Sequence, residues 1–384
     1  MKPVSATPRL NTPSTGNRSD KVWSPFLFAV ALILLSYCVL SLFESPGLAY
    51  REYFTTEQRT QLEKIQTVFV DVLALTDKGS TDATPLVDTV VQRLAEVGYS
   101  AVRNAGQAHD VVVRVKCEQR KTWEGTAVTG GDADLPDAPS RLWKGPACQL
   151  SYLLGGIKIK WQKEVRTEFE DAVAAAQAAQ APDPGRYAMT KLQEALEKYE
   201  FPLLLAAEWG HADRLLKLLD SPDTSQARKI KIMSLLGEMQ ADEAMPKLKE
   251  ALKDRDLARQ ALSAIGNLGR DGIPLLVEMM NTSPQLEVQA AAAKSLGQLG
   301  GLHGDASVVL PLLAKLQDPK TDWTVLTEVA WALGKIPDKR SIQPLYDLDK
   351  KLQAIRDPDN IVLKKLKEAV FWSIKQCDTW DQYS

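Results

Sequence analysis

The alternation of apolar and polar positions divides the chain into three parts. Residues 22–43 are uncharged and mostly apolar. Between residues 67 and 170, short valine-rich runs separated by turn residues indicate strands around one helix. From residue 187 onward, apolar positions recur at the three- and four-residue spacing of amphipathic helices. The predicted fold class is a single transmembrane helix, then a small α+β domain, then an all-α solenoid.

The uncharged segment has the length of a membrane-spanning helix. As an α-helix, residues 22–43 would extend about 33 Å, which matches the hydrocarbon core of a bilayer. Trp23 lies where an interfacial aromatic residue is expected. One alternative is a cleaved signal peptide, for which the apolar run is too long, and another is lipidation at Cys38, where the bulky Tyr37 precedes the cysteine. We predict a transmembrane helix at 22–43 after a disordered cytoplasmic tail at 1–21.

The charges that flank this segment predict its orientation. Several basic residues precede it, whereas Arg51 is the only one that follows it closely, beside two glutamates. Because positive charge stays on the cytoplasmic side, the N-terminus is expected inside and the bulk of the chain outside. The predicted localisation is the bacterial inner (cytoplasmic) membrane, single-pass, with most of the chain in the periplasm.

Residues 67–170 are expected to form a small α+β domain, after a linker or stalk at 44–66. The predicted elements, in chain order, are a strand at 67–75, a helix at 85–97, and strands at 110–117, 148–154 and 157–169. This βαβββ order favours a sheet with a helix on one face.

Two cysteines of this domain are candidates for a disulfide. Cys117 and Cys148 fall in or beside predicted strands of the same sheet. A domain placed outside the membrane meets oxidising conditions, which favour such bridges. We therefore predict a Cys117–Cys148 disulfide, and the alternative is two buried free thiols.

A short pattern recurs in the second half of the chain at intervals of about thirty to forty residues, the scale of helical repeats. An apolar residue precedes a glycine, and a small residue precedes both in three of the four copies: Leu235-Leu236-Gly237, Ala264-Ile265-Gly266, Ser295-Leu296-Gly297 and Ala332-Leu333-Gly334. A proline and an apolar run follow each copy. Such repeats bury a core only by stacking on one another. After a linker at 171–186, residues 187–384 are predicted to form a solenoid of about five repeats.

This array resembles the HEAT-like repeats found in phycobiliprotein lyases and in many scaffold proteins. The resemblance rests on residues 261–269 with the apolar run that follows them, and on residues 292–300. It implies stacked pairs of helices that present a surface to a partner. Residues 205–220 are closer to an ankyrin repeat, and we interpret them as the N-terminal capping unit of the same solenoid, with a true ankyrin unit as the alternative.

The sequence holds no arrangement of residues typical of a catalytic or metal site. Its 3 histidines, His109, His211 and His303, have no Cys, His or Glu at metal-ligand spacing. Motifs for phosphate loops and dinucleotides are also missing. We therefore expect no enzymatic activity, no cofactor and no metal.

The charge balance argues against a nucleic-acid partner. The net charge is -2, and from Phe201 to the end 24 Lys and Arg residues stand against 25 Asp and Glu residues. A module that binds nucleic acid normally carries a basic excess, because neutralised phosphates dominate its affinity. We expect a protein partner and no nucleic acid.

Four tryptophans of the repeat region are candidates for contact with that partner. Trp323 and Trp331 are eight residues apart and are expected on one helical face, and Trp372 has a related place in the last repeat. Trp380 lies in a short polar tail. Aromatic side chains exposed on a solenoid would anchor a partner segment. The alternative is that they fill the core between repeats.

The predicted function is that of a membrane-anchored, extracytoplasmic binding or assembly scaffold that engages a protein partner through its solenoid. The alternative, which follows from the resemblance to lyases, is a protein that attaches a chromophore or cofactor.

Overall fold

A computed structural model describes residues 54–126 and 140–383 of the chain. The first part of the fold is a mixed sheet with helices, and the second is a stack of helical pairs. Both parts belong to the same compact unit.

None of the helices in these described residues is long and apolar enough to cross a membrane. This finding overturns the first element of the predicted fold class, and with it the single-pass inner-membrane localisation. The segment predicted to span the bilayer, 22–43, lies outside the described residues, as does the predicted tail at 1–21. The fold class is corrected to an α+β region followed by helical repeats.

The α+β region begins with a short helix whose first turn is closed by a capping box. The side chain of Thr55 accepts from the backbone of Gln58, and Gln58 bonds back to Thr55. The elements that follow have these bounds: α1 Thr56–Leu62, β1 Thr67–Thr76, β2 Gly79–Ser80, α2 Thr84–Glu96, β3 Ser100–Val102, β4 Val111–Thr126, β5 Ser140–Leu154 and β6 Ile157–Arg166.

The sheet has the strand order β2-β1-β4-β5-β6, and β3 pairs with the first part of β1. Strands β3 and β4 run parallel to β1, whereas the β4–β5 and β5–β6 pairs are antiparallel. One face is apolar and buried, as in the alternation of Val111, Val113 and Val115 along β4. The crossover from β1 through α2 to the parallel β3 places α2 on this buried face.

The predicted linker at 171–186 is largely helical. Helix α3 spans Ala172–Ala178, with Asp171 capping it, and helix α4 spans Pro184–Lys198. Helix α4 packs on the sheet beside α2, burying Leu192 and Leu196. The solenoid predicted from residue 187 therefore begins later, because the apolar face of α4 is used to complete the core of the sheet.

The structure joins Cys117 and Cys148 in a disulfide, with their sulfur atoms 2.00 Å apart. The two residues face each other in register on the neighbouring strands β4 and β5. Both side chains are fully buried on the helix-covered face of the sheet. The bridge therefore ties the two central long strands together inside the core.

The helical part begins with α5 Phe201–Glu208 and α6 Ala212–Asp220, and continues as repeated pairs. The first helices of the five repeats are α7 Gln226–Glu238, α9 Arg255–Leu268, α11 Leu286–His303, α13 Trp323–Lys335 and α15 Ile361–Tyr383. The second helices are α8 Met245–Ala251, α10 Ile273–Thr282, α12 Val309–Gln317 and α14 Lys339–Gln353. Each first helix packs mainly on the first helix of the next repeat.

Capping residues determine where many of these helices begin. The side chains of Ser225, Asp254, Asp322 and Asp338 each accept a hydrogen bond from a backbone amide in the first turn. Prolines lie in the first turn of α8 and α10, where no internal hydrogen bond is lost. Pro344 differs, because it lies inside α14.

The recurring glycine is the point at which neighbouring first helices touch. A methyl carbon built on Gly297 would lie 2.5 Å from Cα of Ala332, two residues before the glycine of the next repeat. The same relation holds for the other three glycines, which face these small residues of the following helix: Gly237 faces Ala264, Gly266 faces Ser295, and Gly334 faces Ser373. We call these four contacts the glycine ladder.

The first and last copies of the step each lack one of the two residues that form a ladder contact. The first copy has Leu235 in the small-residue position, and no earlier repeat presents a glycine to it. In the last copy, Ser373-Ile374-Lys375, an exposed lysine replaces the glycine. A further first helix could not approach Lys375 as closely, so the ladder ends at α15.

A cluster of charges connects the sheet region to the first repeat. Arg93 on α2 pairs with Glu96 and, at 2.9 Å, with Glu200 before α5. Arg228 on α7 pairs with Glu96 at 3.1 Å and with Glu200 at 3.4 Å. Because the arginines come from different elements and share both carboxylates, the cluster holds α7 against α2.

An aromatic cluster completes this junction. The buried ring of Trp209 makes edge contacts with Tyr99 and Tyr152, at centroid distances of 5.1 Å and 5.6 Å. The hydroxyl of Tyr99 donates to Nδ1 of His211 at 2.6 Å, and Nε2 of His211 donates to the carbonyl of Leu62 at 3.0 Å. Residues of the sheet region and of α5 and α6 thus share one core.

The glycine ladder predicts that Gly297→Ala lowers the stability of the protein, although this substitution usually stabilises a helix. Alanine in a helix is usually more stable than glycine by about 0.5–1 kcal/mol. Here the added methyl would overlap Ala332, and we expect overpacking to lower the free energy of unfolding by about 1–3 kcal/mol, measured by urea denaturation. Lys375→Ala, at the corresponding position of the last repeat, is the control and should change stability by less than about 0.5 kcal/mol. Equal effects of the two substitutions would contradict the ladder.

The disulfide predicts how many cysteines react when the unfolded protein is alkylated. The chain has 4 cysteines, and the bridge removes two of them. Without reductant, mass spectrometry should show label on Cys38 and Cys377 only. Prior reduction should add label to Cys117 and Cys148. Labelling of all four cysteines without reductant would show that the bridge does not form.

His211 predicts a loss of stability in mild acid. Burial lowers the pKa of His211 below its usual 6.5, and the charge of Arg214 lowers it further. The unfolded chain therefore takes up a proton first, so the free energy of unfolding falls as the pH drops below about 6.5 and through the lower pKa of the folded state. His211→Gln, which does not titrate, should lose less stability than the native protein between about pH 7 and pH 5 in thermal unfolding. Identical losses would exclude His211 as the cause.

Candidate partner-binding surface

The glycine ladder gives every first helix the same orientation, so equivalent positions can be compared between repeats. We count from the ladder glycine of each first helix, or from Lys375 in the last repeat, and call this residue the ladder position. The residue three positions before it points away from the core. In chain order these residues are Ser234, Ser263, Lys294, Trp331 and Trp372. Packing does not determine their identity, because small, charged and aromatic side chains all occur there. The change from serine to lysine and tryptophan is therefore not required for packing between the repeats.

The two tryptophans lie side by side on adjacent helices. Trp331 is 36% exposed and Trp372 is 40% exposed. Their immediate neighbours are in contact, since the hydroxyl of Ser373 donates to the carbonyl of Ala330 at 2.7 Å. Packed helices are separated by about 8–10 Å, which a pair of indoles spans. Two large aromatic side chains thus form one partly exposed strip.

Phe371 and Lys375 extend this strip at the last helix. The ring of Phe371 is 57% exposed and meets Trp372 edge to face, with centroids 5.5 Å apart. The equivalent residues of the earlier repeats, such as Ala293 and Ala330, are fully buried. The ammonium group of Lys375 lies 5.0 Å from the centroid of Trp372, a cation–π contact.

Two more lysines lie beside the indoles. Lys335 follows Trp331 by one helical turn, and Lys294 occupies the equivalent of the tryptophan position on α11. Desolvation by the surrounding side chains lowers the pKa of Lys335, and the nearby charge of Lys294 lowers it further. We call the set Lys294, Trp331, Lys335, Phe371, Trp372 and Lys375 the indole surface.

The other two tryptophan candidates are not part of this surface as the structure describes it. Trp323 is half-buried and packs against the core. Eight residues of helix turn through two turns and about 80° more, so Trp323 does not share the face of Trp331. The side chain of Trp380 lies outside the described residues.

Sequence reasoning missed Phe371 and the three lysines. These residues can be identified once the repeats are aligned on the ladder position. In the last repeat, that position is occupied by Lys375 in place of a glycine. Other exposed apolar side chains of the array include the neighbouring Ile361 and Val362 at the start of α15. Leu310 stands on the second helix α12, and Tyr346 on α14 donates its hydroxyl to Asp378 at 2.7 Å.

In the described parts of the chain, no group of three or more His, Cys, Asp or Glu side chains is placed to hold a metal ion. His109 bonds to the carbonyl of Gln107, and both ring nitrogens of His211 form hydrogen bonds at the junction with the sheet region. His303 lies in the last turn of α11. The geometry offers a contact surface at the indoles and assigns no chemical reaction to it.

Residues 212–297 and residues 273–357 match the family model of HEAT repeats. The two matches together cover less than half of the chain, and they include helices α6 to α14. A comparison with curated proteins finds no match to the chain. The predicted resemblance to HEAT-like repeats is thereby confirmed for residues 212–357, while a likeness to lyases is not shown. The chain carries a HEAT-like helical repeat region.

Proposed function

We propose that this protein is a binding scaffold, and that its HEAT-like repeats engage a protein partner through the indole surface. The proposal rests above all on the adjacent, partly exposed Trp331 and Trp372. Tryptophan is the side chain most enriched among residues that dominate binding energy, and its truncation at such sites costs about 2 kcal/mol or more.

The position of the surface supports the same conclusion. Equivalent positions in the first two repeats carry Ser234 and Ser263, so the aromatic strip is confined to the later repeats. Stacked repeats commonly use an extended outer surface to hold partners. The charge and aromatic clusters at the junction fix the start of the array to the sheet region, which gives a bound partner a defined place relative to that region.

Site-specific photo-crosslinking in intact cells tests the proposal. A photoreactive residue at Gln376, one turn after Trp372 and exposed, should form an adduct of one defined mass with a partner protein. The same residue at Lys351, exposed on the second helix α14, should not give that adduct. Adducts of equal yield from both positions, or none from Gln376, would count against binding at the indole surface.

A pair of variants shows whether the indoles supply the affinity. Trp331→Ala combined with Trp372→Ala should reduce the Gln376 adduct by about thirtyfold, which corresponds to about 2 kcal/mol. Leu310→Ala removes an exposed apolar side chain from a second helix and should leave the yield unchanged. Circular dichroism must show folded arrays in both variants. A yield that survives the double substitution would exclude the indoles as anchors.

A further inference from the structure

We infer that the partner segment held by the indole surface is acidic, with carboxylates that meet Lys294, Lys335 and Lys375 and an apolar side chain that lies between the indoles. This inference rests on the proposed function and specifies the chemistry of the partner.

The three lysines come from three successive first helices. Lys294 is on α11, Lys335 on α13 and Lys375 on α15. Lys335 and Lys375 each follow an indole by about one turn, so both ammonium groups lie on the same side of the aromatic strip. Lys294 occupies the tryptophan position on the neighbouring helix α11, and its charge contributes to the lowered pKa of Lys335. The strip therefore has a positive edge.

This positive edge is not neutralised within the described part of the chain. No ion pair there includes Lys294, Lys335 or Lys375, although many other lysines and arginines of the fold are paired. The charge of Lys294 instead lowers the pKa of Lys335, and the opposing effect of Glu328 is smaller. A carboxylate placed between the two lysines would be attracted to both.

The lysines are a local feature of the array. The residues equivalent to Lys294 and Lys335 in the first repeat are Ser234 and Glu238, and in the second they are Ser263 and Asn267. The array as a whole is balanced in charge. Positive charge is thus concentrated beside the indoles, which is where it can select a partner.

The spacing suits a peptide segment that crosses the helices. Neighbouring helix axes are about 8–10 Å apart, so the three lysines extend over about 20 Å. A partner helix advances about 10 Å in seven residues and would present acidic residues at every seventh position. Large apolar residues between them would then reach Trp331 and Trp372.

The neighbouring carboxylates argue against a phosphate backbone as the ligand. Glu328 precedes Trp331 by three residues, and Glu368 precedes Trp372 by four, so each indole has an acidic neighbour on its other side. These charges would repel a uniformly negative polymer. A peptide can place its carboxylates along the lysine edge alone.

Selection from a library of random peptides tests the inference. Peptides about 16 residues long, enough to span the three helices, are selected on the immobilised chain and sequenced. We expect enrichment of Asp and Glu together with Trp, Phe or Leu. On the variant Lys294→Glu with Lys335→Glu, acidic peptides should be lost and basic ones selected, and peptides chosen on the native chain should bind this variant about tenfold more weakly or worse.

The matched control reverses the charge of two exposed lysines away from the indole surface. Lys249→Glu with Lys253→Glu makes the same change of charge in the second helix of the first repeat and in the turn that follows it, and should leave the selection unchanged. Selection without acidic enrichment, or acidic enrichment that survives the double reversal at the indole surface, would overturn the inference. Tighter binding of single-stranded DNA, or of phosphatidylserine-containing vesicles, than of the selected peptides would assign the lysines to phosphate groups instead.

The outcomes separate this inference from the proposed function. If the Gln376 adduct depends on the indoles but the peptides show no acidic preference, the scaffold proposal stands and the charge inference fails. If selected peptides and the adduct are both indifferent to Trp331 and Trp372, the proposed function fails.

Discussion

The close approach of successive first helices at glycine is the constraint on which the repeat region depends. Each of the four ladder glycines faces a small residue of the following helix, at distances that leave no room for a methyl group. Because a repeat buries its own face only by stacking, this contact sets both the spacing and the rotation of the helices. The same rotation carries the side chain three positions earlier outward on every helix. The indole surface is therefore a consequence of the ladder, since the ladder places Trp331 and Trp372 next to each other.

The junction with the sheet region has a different physical character. Instead of small residues, it uses shared ion pairs among Arg93, Glu96, Glu200 and Arg228, together with the rings around Trp209. These charges are partly buried, so removing one member leaves its partners with an uncompensated charge at some cost. Helix α4, which completes the sheet core, leads directly into this cluster. The start of the array is thus held to the sheet region by ion pairs and packed rings.

Local patterns predicted much of this fold, and the misses have identifiable reasons. Repeat spacing, strand runs and the helix after β1 are local in sequence and were predictable. The placement of α4 on the sheet was not, because Leu192 and Leu196 have the spacing of any amphipathic helix. Pro344 follows its glycine step as the other prolines do, yet it lies inside α14, because Asp338 caps that helix earlier. For the candidate site, the indoles stood out by residue type, whereas Phe371 and the lysines required the ladder register, which depends on contacts between distant residues.

The ladder also makes the inner repeats interchangeable as building blocks. Each of them offers a glycine to its successor and a small residue to its predecessor, so a copy added or lost among them would keep every contact of the same kind. The first and last repeats lack one half of this pairing and can stand only at the ends. Gain or loss of a repeat such as the second, which carries no residue of the indole surface, would therefore move the indoles away from the sheet region, or towards it, by about one helix spacing. The number of inner repeats can thus set the distance between the sheet region and the indole surface, while the first and last repeats stay the same.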